Sequence, residues 1–427
     1  MEKVPERNAS TTIRPAHSVP KGANMAEPRR IALLMSQDAG FHRQVLLGIR
    51  AYAGHAKRWL FHNAPPTPAV FRPLAEWNPH GIIAHLDDAK VAKRILGLGK
   101  PIVDTGCVLA GLGVPVVDVD HPAVARLAAD YFLSRGYRHF GYFGSRQAQY
   151  SQARLAAFRE AIDARGFAVH ACHVEYLPRL PDQTSWKNVN VQVRHWLKKL
   201  AKPVAVLADH DVAAHDLANM CQLLNLRVPD DVAILGVDDD ELECQLAFPP
   251  ISSVAIPAQR IGFEAARLLD RLISGRKTSE KPIYLPPVRV VTRHSTSMFA
   301  IDEPIVTAAL HYIRNHLAEP LRVSTIAAAL TVRRRALEQK FRSLLGRSVL
   351  DEIHRVRVEQ AKGLLATTDL LVSQVAEQSG FSTPQRMATV FRKMTGMSPG
   401  GYRRQATGSR TPSGQGPGKA MDAEPAD

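Results

Sequence analysis

From Arg29 to Thr292 short apolar runs alternate with helical stretches. The runs fall at residues 31–35, 81–84, 101–103, 115–117, 140–143, 204–207 and 232–235. Between them, residues 41–55, 124–135, 153–165 and 212–224 carry apolar side chains at helical spacing. Brief apolar runs separated by helices of roughly ten to fifteen residues read as βαβ units with parallel strands. Two such blocks, dividing near residues 143–152, predict two α/β lobes with a cleft between them.

From Pro304 to Tyr402 the strand-like runs disappear and helical period takes over. Residues 323–330 predict a short helix with Ser324 as its N-cap. A turn at Thr331 and Val332 leads into a second helix, 333–345. It buries Leu337 and Phe341, turns Arg333, Arg334, Arg335 and Gln339 outward, and ends at Gly346. The pattern recurs about fifty residues on. Residues 372–381 end in a turn at Gly380, and Pro384 suits the first turn of the next helix, which buries Met387 and Phe391. A helix over 349–365 would hold the two units at a fixed spacing. A short helix followed by one with exposed Arg and Gln is the helix-turn-helix layout. The expected order is therefore a disordered lead (1–27), the two-lobed α/β domain (28–294), a linker (295–304), an all-α double helix-turn-helix domain (305–406) and a disordered tail (407–427).

Charge sharpens this picture. Fifty-five Lys and Arg against 40 Asp and Glu give a net charge of +15, which suits a polyanionic partner. Sixteen of those cations and nine of those acids lie in residues 301–406, so a quarter of the chain holds nearly half the surplus. Double-stranded DNA is the expected partner. No run of eighteen apolar residues occurs and the first 26 residues lack an apolar signal core, so a cytoplasmic protein with no membrane span is expected. The four cysteines, Cys107, Cys172, Cys221 and Cys244, are scattered with no C-x-x-C pair, and read as reduced thiols without a zinc site or disulfide framework. The acidic run Asp238-Asp239-Asp240-Glu241 reads as a solvated loop, since consecutive carboxylates rarely converge on one ion. No metal and no cofactor are expected. An enzyme carrying a DNA module is the competing class. G-x-S-x-G, G-x-x-x-x-G-K, H-E-x-x-H and the dinucleotide fingerprint are all missing, so no catalytic residues are assigned.

The helical part carries a specific pattern. Ile353, Arg357, Ala361, Leu364 and Leu365 are followed by Val375-Ala376-x-x-Ser379-Gly380-Phe381-Ser382. Then come Val390-Phe391-Arg392-Lys393-x-x-Gly396-x-Ser398-Pro399-x-x-Tyr402-Arg403. This resembles the AraC/XylS family over about a hundred residues and across both units. The resemblance implies two helix-turn-helix units reading successive major-groove segments. It puts base-facing side chains at Arg335, Glu338 and Gln339 in the first unit and at Gln385, Arg386 and Thr389 in the second. Arg suits guanine and Gln suits adenine. A phosphate contact or a solvated face remains the alternative for each. Arg392 and Lys393 are assigned to phosphate, with Arg333 and Arg334 beside the first reading helix. Pro384 departs from the family pattern, where a polar side chain is common.

The α/β part resembles the LacI-type effector domain, akin to periplasmic sugar-binding proteins. Residues 153–158, 205–213 and the stretch Pro229-Asp230-Asp231-Val232-Ala233-Ile234-Leu235-Gly236-Val237-Asp238-Asp239 carry the likeness. Ligands of open α/β sheets bind beyond the carboxyl ends of the strands. Arg154, Asp209 and Asp238 fall there and match ligand contacts of the family; Asp38, Phe41 and Arg43 in the first βα turn are further candidates. Carboxylates accept from vicinal hydroxyls and Arg donates to them, while Phe41 could stack on a sugar face. Asp38 or Asp209 could instead cap the helix that follows. An effector domain ahead of an AraC-type module resembles the xylose-operon regulators of the XylR type. That resemblance implies a sugar-responsive activator of pentose genes, with D-xylose as effector, RNA polymerase as a partner and a homodimer as the working form. A regulator answering to another small metabolite is the alternative.

Overall fold

The computed structural model describes residues 27–37, 39–54, 57–174, 183–276, 281–301, 303–317 and 319–407. The expected disordered lead and tail lie, but for Glu27 and Thr407, outside the described residues. The first lobe holds β1 (Arg29–Leu34), β2 (Trp59–Ala64), β3 (Gly81–Ala84) and β4 (Ile102–Asp104) in the order β2-β1-β3-β4, all parallel. β5 (Val117–Val119) continues this lobe. The second lobe holds β6 (His139–Ser145), β7 (Val169–Val174), β8 (Val204–Ala208), β9 (Val232–Asp238) and β10 (Ser252–Ala255). The chain then adds β11 (Ile283–Leu285), which pairs in parallel with β5, and β12 (Arg289–Val291), which joins the second sheet antiparallel to β10. The second sheet runs β12-β10-β9-β8-β6-β7. β3 and β8 are buried at every residue, which is why they read as unbroken apolar runs.

The lobes divide differently from the sequence expectation. β6 lies inside the second sheet, so the first crossing falls near residue 120 rather than at 143–152. The chain crosses again between β10 and helix Ala258–Ile273, and a third time between β11 and β12. Helix Ala258–Ile273 returns to the first lobe and packs along helix Gly40–Ala53. Gly48 and Gly262 let those helices approach: a Cβ on Gly48 would sit 1.8 Å from the Gln259 carbonyl oxygen, and one on Gly262 2.0 Å from that of Val45. Hydrophobic period shows that a strand exists but not which sheet it joins.

The C-terminal module is all helical, as expected: Pro304–Asn315, Val323–Ala329, Arg334–Leu345, Val349–Thr367, Val372–Gln378, Pro384–Thr395 and Pro399–Thr407. Leu337 and Phe341 pack with Ile313 and Ile326 in one core, and Met387 and Phe391 with Val375 and Tyr402 in another. The burial pattern of residues 335–349 repeats residue for residue at 385–399. Gly346 and Gly396 both end their helices in the left-handed conformation. Ser324 is not an N-cap. Its helix begins one residue earlier, after Arg322, with no side-chain cap, because Val323 is drawn into the core.

The expected linker is anchored at its start. Ser295 and Thr296 are fully buried; Ser295 Oγ accepts from the Ser252 N–H at 2.8 Å and donates to the Ile234 carbonyl at 2.6 Å. The Ala300 N–H donates to the Arg135 carbonyl at 2.9 Å. The helical module then docks on the α/β domain. Arg347 donates to the Ser134 carbonyl at 3.0 Å, and the Tyr402 hydroxyl donates to that of Val288 at 2.7 Å. Gly363 lies against Arg289, where a Cβ would meet the guanidinium at 2.6 Å.

Candidate effector cleft and nucleic-acid interface

Loops at the carboxyl ends of strands from both lobes meet. The Gly40 N–H, after β1, donates to Asp240, after β9, at 2.8 Å. The Gln149 N–H, after β6, donates to the Val108 carbonyl, after β4, at 3.0 Å. Between these contacts lies a charged cluster. Arg154, 3 % exposed on helix Gln149–Asp163, donates to the main-chain oxygen of Asp209, and its Nε is buried with no partner. Asp209, 1 % exposed, accepts from the Ser145 N–H at 2.8 Å and holds His210 Nδ1 at 2.6 Å. Asp209 is therefore not a helix cap; the next helix follows His210 without any side-chain cap.

Asp238 ends β9 at φ 113, and Asp239 follows at φ 59. Two left-handed non-glycine residues in succession need support from their surroundings. Asp211 supplies it: its carboxylate accepts from the Asp240 N–H at 2.7 Å and from Ser253 Oγ at 2.6 Å. Asp239 pairs with Arg293 at 2.7 Å, and Asp240 accepts from the Leu242 N–H at 3.2 Å. The acidic run is thus not a solvated loop. Its charge pattern suggested water, but the turn folds two of its carboxylates, Asp239 and Asp240, onto partners from other segments.

The charges are mutually adjusted. Burial works against ionised Asp209, but His210, the Ser145 amide and Arg154 outweigh it and hold the carboxyl below its ordinary value. Burial likewise opposes a charged His210, and Asp209 outweighs it and raises the imidazole. Asp238 is pushed up to about 6 by burial, against the pull of Arg154 and His210. Burial also raises the Tyr150 phenol, whose ring lies 5.0 Å from the Arg154 guanidinium.

The expected contacts divide into two groups. Arg154, Asp209 and Asp238 come together. Phe41 and Arg43 share with Asp238 a cavity of about 870 Å³, which Arg260, Val288 and Arg289 also line. It runs along the second and third crossings. Arg43 reaches the Gln37 carbonyl at 2.8 Å and Asp240 at 3.7 Å. Asp38 lies outside the described residues.

In the helical module, Arg333, Arg334, Arg335, Gln339, Gln385, Arg386, Thr389, Arg392 and Lys393 are all exposed. Glu338 is half-buried, with one carboxylate oxygen buried and unpartnered. Arg335 and Gln385 occupy equivalent places in the two units, as do Gln339 and Thr389. Thr389 bonds back to the Gln385 carbonyl at 3.0 Å. Pro384 takes the first helical turn, and Thr383 caps it by accepting from the Arg386 N–H at 3.2 Å.

Two family patterns cover most of this architecture. The periplasmic binding protein-like domain matches residues 129–296 and a helix-turn-helix domain matches 326–405. The xylose operon regulatory protein of Escherichia coli K12 is 28% identical over 382 residues, covering 88% of this chain and 96% of that protein. Over nearly its whole length the chain is similar to xylose operon regulatory proteins, with a periplasmic-binding-protein-like domain ahead of a helix-turn-helix domain. The Haemophilus influenzae xylose operon regulatory protein is 27% identical and covers 88% of this chain and 98% of its own length. A solved structure described as the xylose-binding transcription activator xylR is 26% identical, covers 88% of this chain and 98% of that one, and superposes with a TM-score of 0.57. This is an AraC-type DNA-binding regulator and not an enzyme. No helix among the described residues is long and apolar enough to cross a membrane.

Several residues at the cleft escaped the sequence reading. His42 and His85 stack edge to face at 4.4 Å. Burial lowers His42 to about 3 and His85 to about 4, so both are neutral near pH 7. His85 Nδ1 is buried without a partner. Tyr150, His121 and His210 join the cluster from the second lobe. The available signal was position: His85 directly follows β3, and His121 follows β5 by two residues.

Proposed function

We propose that the chain is a sugar-responsive, sequence-specific activator of pentose catabolism genes, with D-xylose as its effector. The observation that carries this reading is the Arg154–Asp209–Asp238 cluster. It combines two carboxylates with a buried guanidinium whose Nε still lacks a partner. Carboxylate acceptors beside a forked donor suit vicinal hydroxyls, and a site built this way rejects analogues that lack one. The names of the Escherichia coli and Haemophilus influenzae relatives support xylose.

The same reading gives a route from cleft to DNA. Closing one lobe on the other must move the crossings between them. Val288 ends the third crossing and Arg289 opens β12, and they touch Tyr402 and Gly363 of the helical module. An effector shifts this equilibrium only by its differential affinity for the two states. The operator is read by exposed Arg335, Gln339, Gln385, Arg386 and Thr389, with Arg333, Arg334, Arg392 and Lys393 on phosphate. The working form is a homodimer that engages RNA polymerase. Residues 28–294 act as the effector domain and 305–406 as the DNA-binding domain.

Calorimetric titration of the full chain with D-xylose, L-arabinose and D-glucose tests the effector. Saturable D-xylose binding that weakens at least tenfold in Asp209→Asn is expected. Heat from none of the three sugars refutes the sugar reading and leaves the likeness to DNA-binding regulators untouched.

A further inference from the structure

We propose that Cys107, Asp118 and His121 form a metal site at the base of the cleft, suited to a Zn²⁺-class ion. The Cys107 Sγ, a carboxylate oxygen of Asp118 and a ring nitrogen of His121 all lie within 4.8 Å of one another. The three residues are 8 %, 3 % and 5 % exposed. Ligands held at the Zn–S, Zn–N and Zn–O lengths of a tetrahedral site are separated from one another by roughly 3.3–3.8 Å. The His121 Nε2 to Asp118 Oδ2 separation, 3.2 Å, is already such an edge. Closing the sulfur edge needs a movement of about 1 Å at most, within reach of a side-chain rotation.

The set is assembled from separate segments. Cys107 follows β4 in a left-handed turn at φ 41, Asp118 sits in β5, and His121 opens helix His121–Leu133. The second oxygen of Asp118 accepts from the Val119 N–H at 2.7 Å, which fixes the carboxylate and leaves the first for an ion. A further carboxylate, Asp104, acts on both Cys107 and Asp118. Arg154 is the cation that acts on His121; it bonds the Asp209 carbonyl, and its charge also acts on Asp209 and Asp238. Two buried carboxylates therefore face a thiol and an imidazole, and a divalent cation would neutralise them. One thiolate, one imidazole and one carboxylate suit a borderline ion, and three protein ligands leave a fourth position for water or a hydroxyl.

The thiolate is the ligand, so each ion taken up displaces the Cys107 thiol proton to solvent as the sulfur–metal bond forms. The site does not depend on the sugar reading.

The test uses the full chain, reduced without added thiols and stripped with a chelator, then titrated with Co²⁺. A thiolate-to-cobalt charge-transfer band that saturates at one Co²⁺ per chain, and that Zn²⁺ abolishes, is expected. Cys172, Cys221 and Cys244 are buried in an apolar core, so Cys107 is the one thiol placed to give that band. Cys107→Ser should lose it, and His121→Ala should weaken Co²⁺ binding more than about tenfold. Co²⁺ held without the band, as scattered surface histidines would hold it, overturns the proposal in the wild-type chain whatever the variants do. So does a band that survives Cys107→Ser.

Discussion

Glu352 offers a quantitative test of how the helical module is built onto the α/β domain. It is fully buried in helix Val349–Thr367. It accepts from Arg347 Nε at 2.7 Å and from Arg355 Nη2 at 2.7 Å, while Arg347 also reaches the Ser134 carbonyl of the second lobe. Burial works against the ionised carboxyl, but Arg355, Arg347 and Arg314 outweigh it and hold it at about 2. A carboxyl held at about 2 rather than 4.5 favours the folded state by on the order of 3 kcal/mol at neutral pH. The arginines do not gain equally. Arg355 is raised despite its burial, whereas burial costs Arg347 and Arg314 more than Glu352 returns. Removing the carboxylate thus leaves three crowded cations around a neutral group.

Glu352→Gln keeps the side-chain shape and deletes the charge. Urea unfolding of the full chain near pH 7 should show a loss of about 3–5 kcal/mol in the transition that includes the helical module. The sign of the pH dependence follows from the depressed value. The contribution is fully present above about 4.5 and is lost as the pH falls towards 2. The gap between wild type and variant should therefore narrow across that interval. A gap below about 1 kcal/mol at neutral pH, or one undiminished near pH 3, refutes the reasoning.

Arg335→Ala should weaken operator binding by about 1–3 kcal/mol and relax preference at one base pair, whereas Arg392→Ala should weaken all sequences alike and flatten the salt slope; fluorescence anisotropy on matched and mutated operators separates the two. Because Asp238 sits at about 6, effector affinity should fall as the pH drops through 6 and that carboxylate takes up a proton, and calorimetry on Asp238→Asn should find the dependence gone. Tyr402→Phe removes the hydroxyl that bonds Val288, a loss of about 1 kcal/mol; it should change the effector's effect on operator affinity about fivefold while leaving affinity for the effector alone within about twofold, and an unchanged ratio would count against the crossing as the route.

The two fold classes were legible because each leaves a period in the sequence. β3 and β8 are buried on both faces and read as solid apolar runs, and the Leu337–Phe341 and Met387–Phe391 pairs are spaced by one helical turn. Lobe membership was not legible. Helix Ala258–Ile273 looks like any amphipathic helix, and only the glycines at 48 and 262 hint that it lies against Gly40–Ala53. The Arg154, Asp209 and Asp238 positions could be named because they end or follow strands. The histidines could not: His42 and His85 act as neutral rings, and nothing in composition separates a neutral buried imidazole from a core residue. Cys107 stayed hidden for a different reason. It lies eleven residues before Asp118, on another strand's turn, so no local spacing joins it to the Asp118-x-x-His121 pair.

The joint between the domains shows why a linker was the wrong expectation and what replaces it. The stretch 295–304 between two patterned regions reads as a linker, yet Ser295 and Thr296 complete the second lobe and Ala300 bonds to Arg135. The helical module is held at two places of different character. Its first unit is tied to the second lobe through Arg347 and Ser134, and its second unit touches the third crossing through Tyr402 and Gly363. The 19-residue helix Val349–Thr367 joins them, a rod of roughly 28 Å. If the lobes close in the proposed response to effector, one anchor rides with the second lobe while the other lies on the strand that must bend. A rigid rod cannot follow both motions. Either the Tyr402 contact breaks or the second unit is carried relative to the lobe. Both outcomes alter how two successive groove segments are presented, and neither requires the effector to touch the helical module.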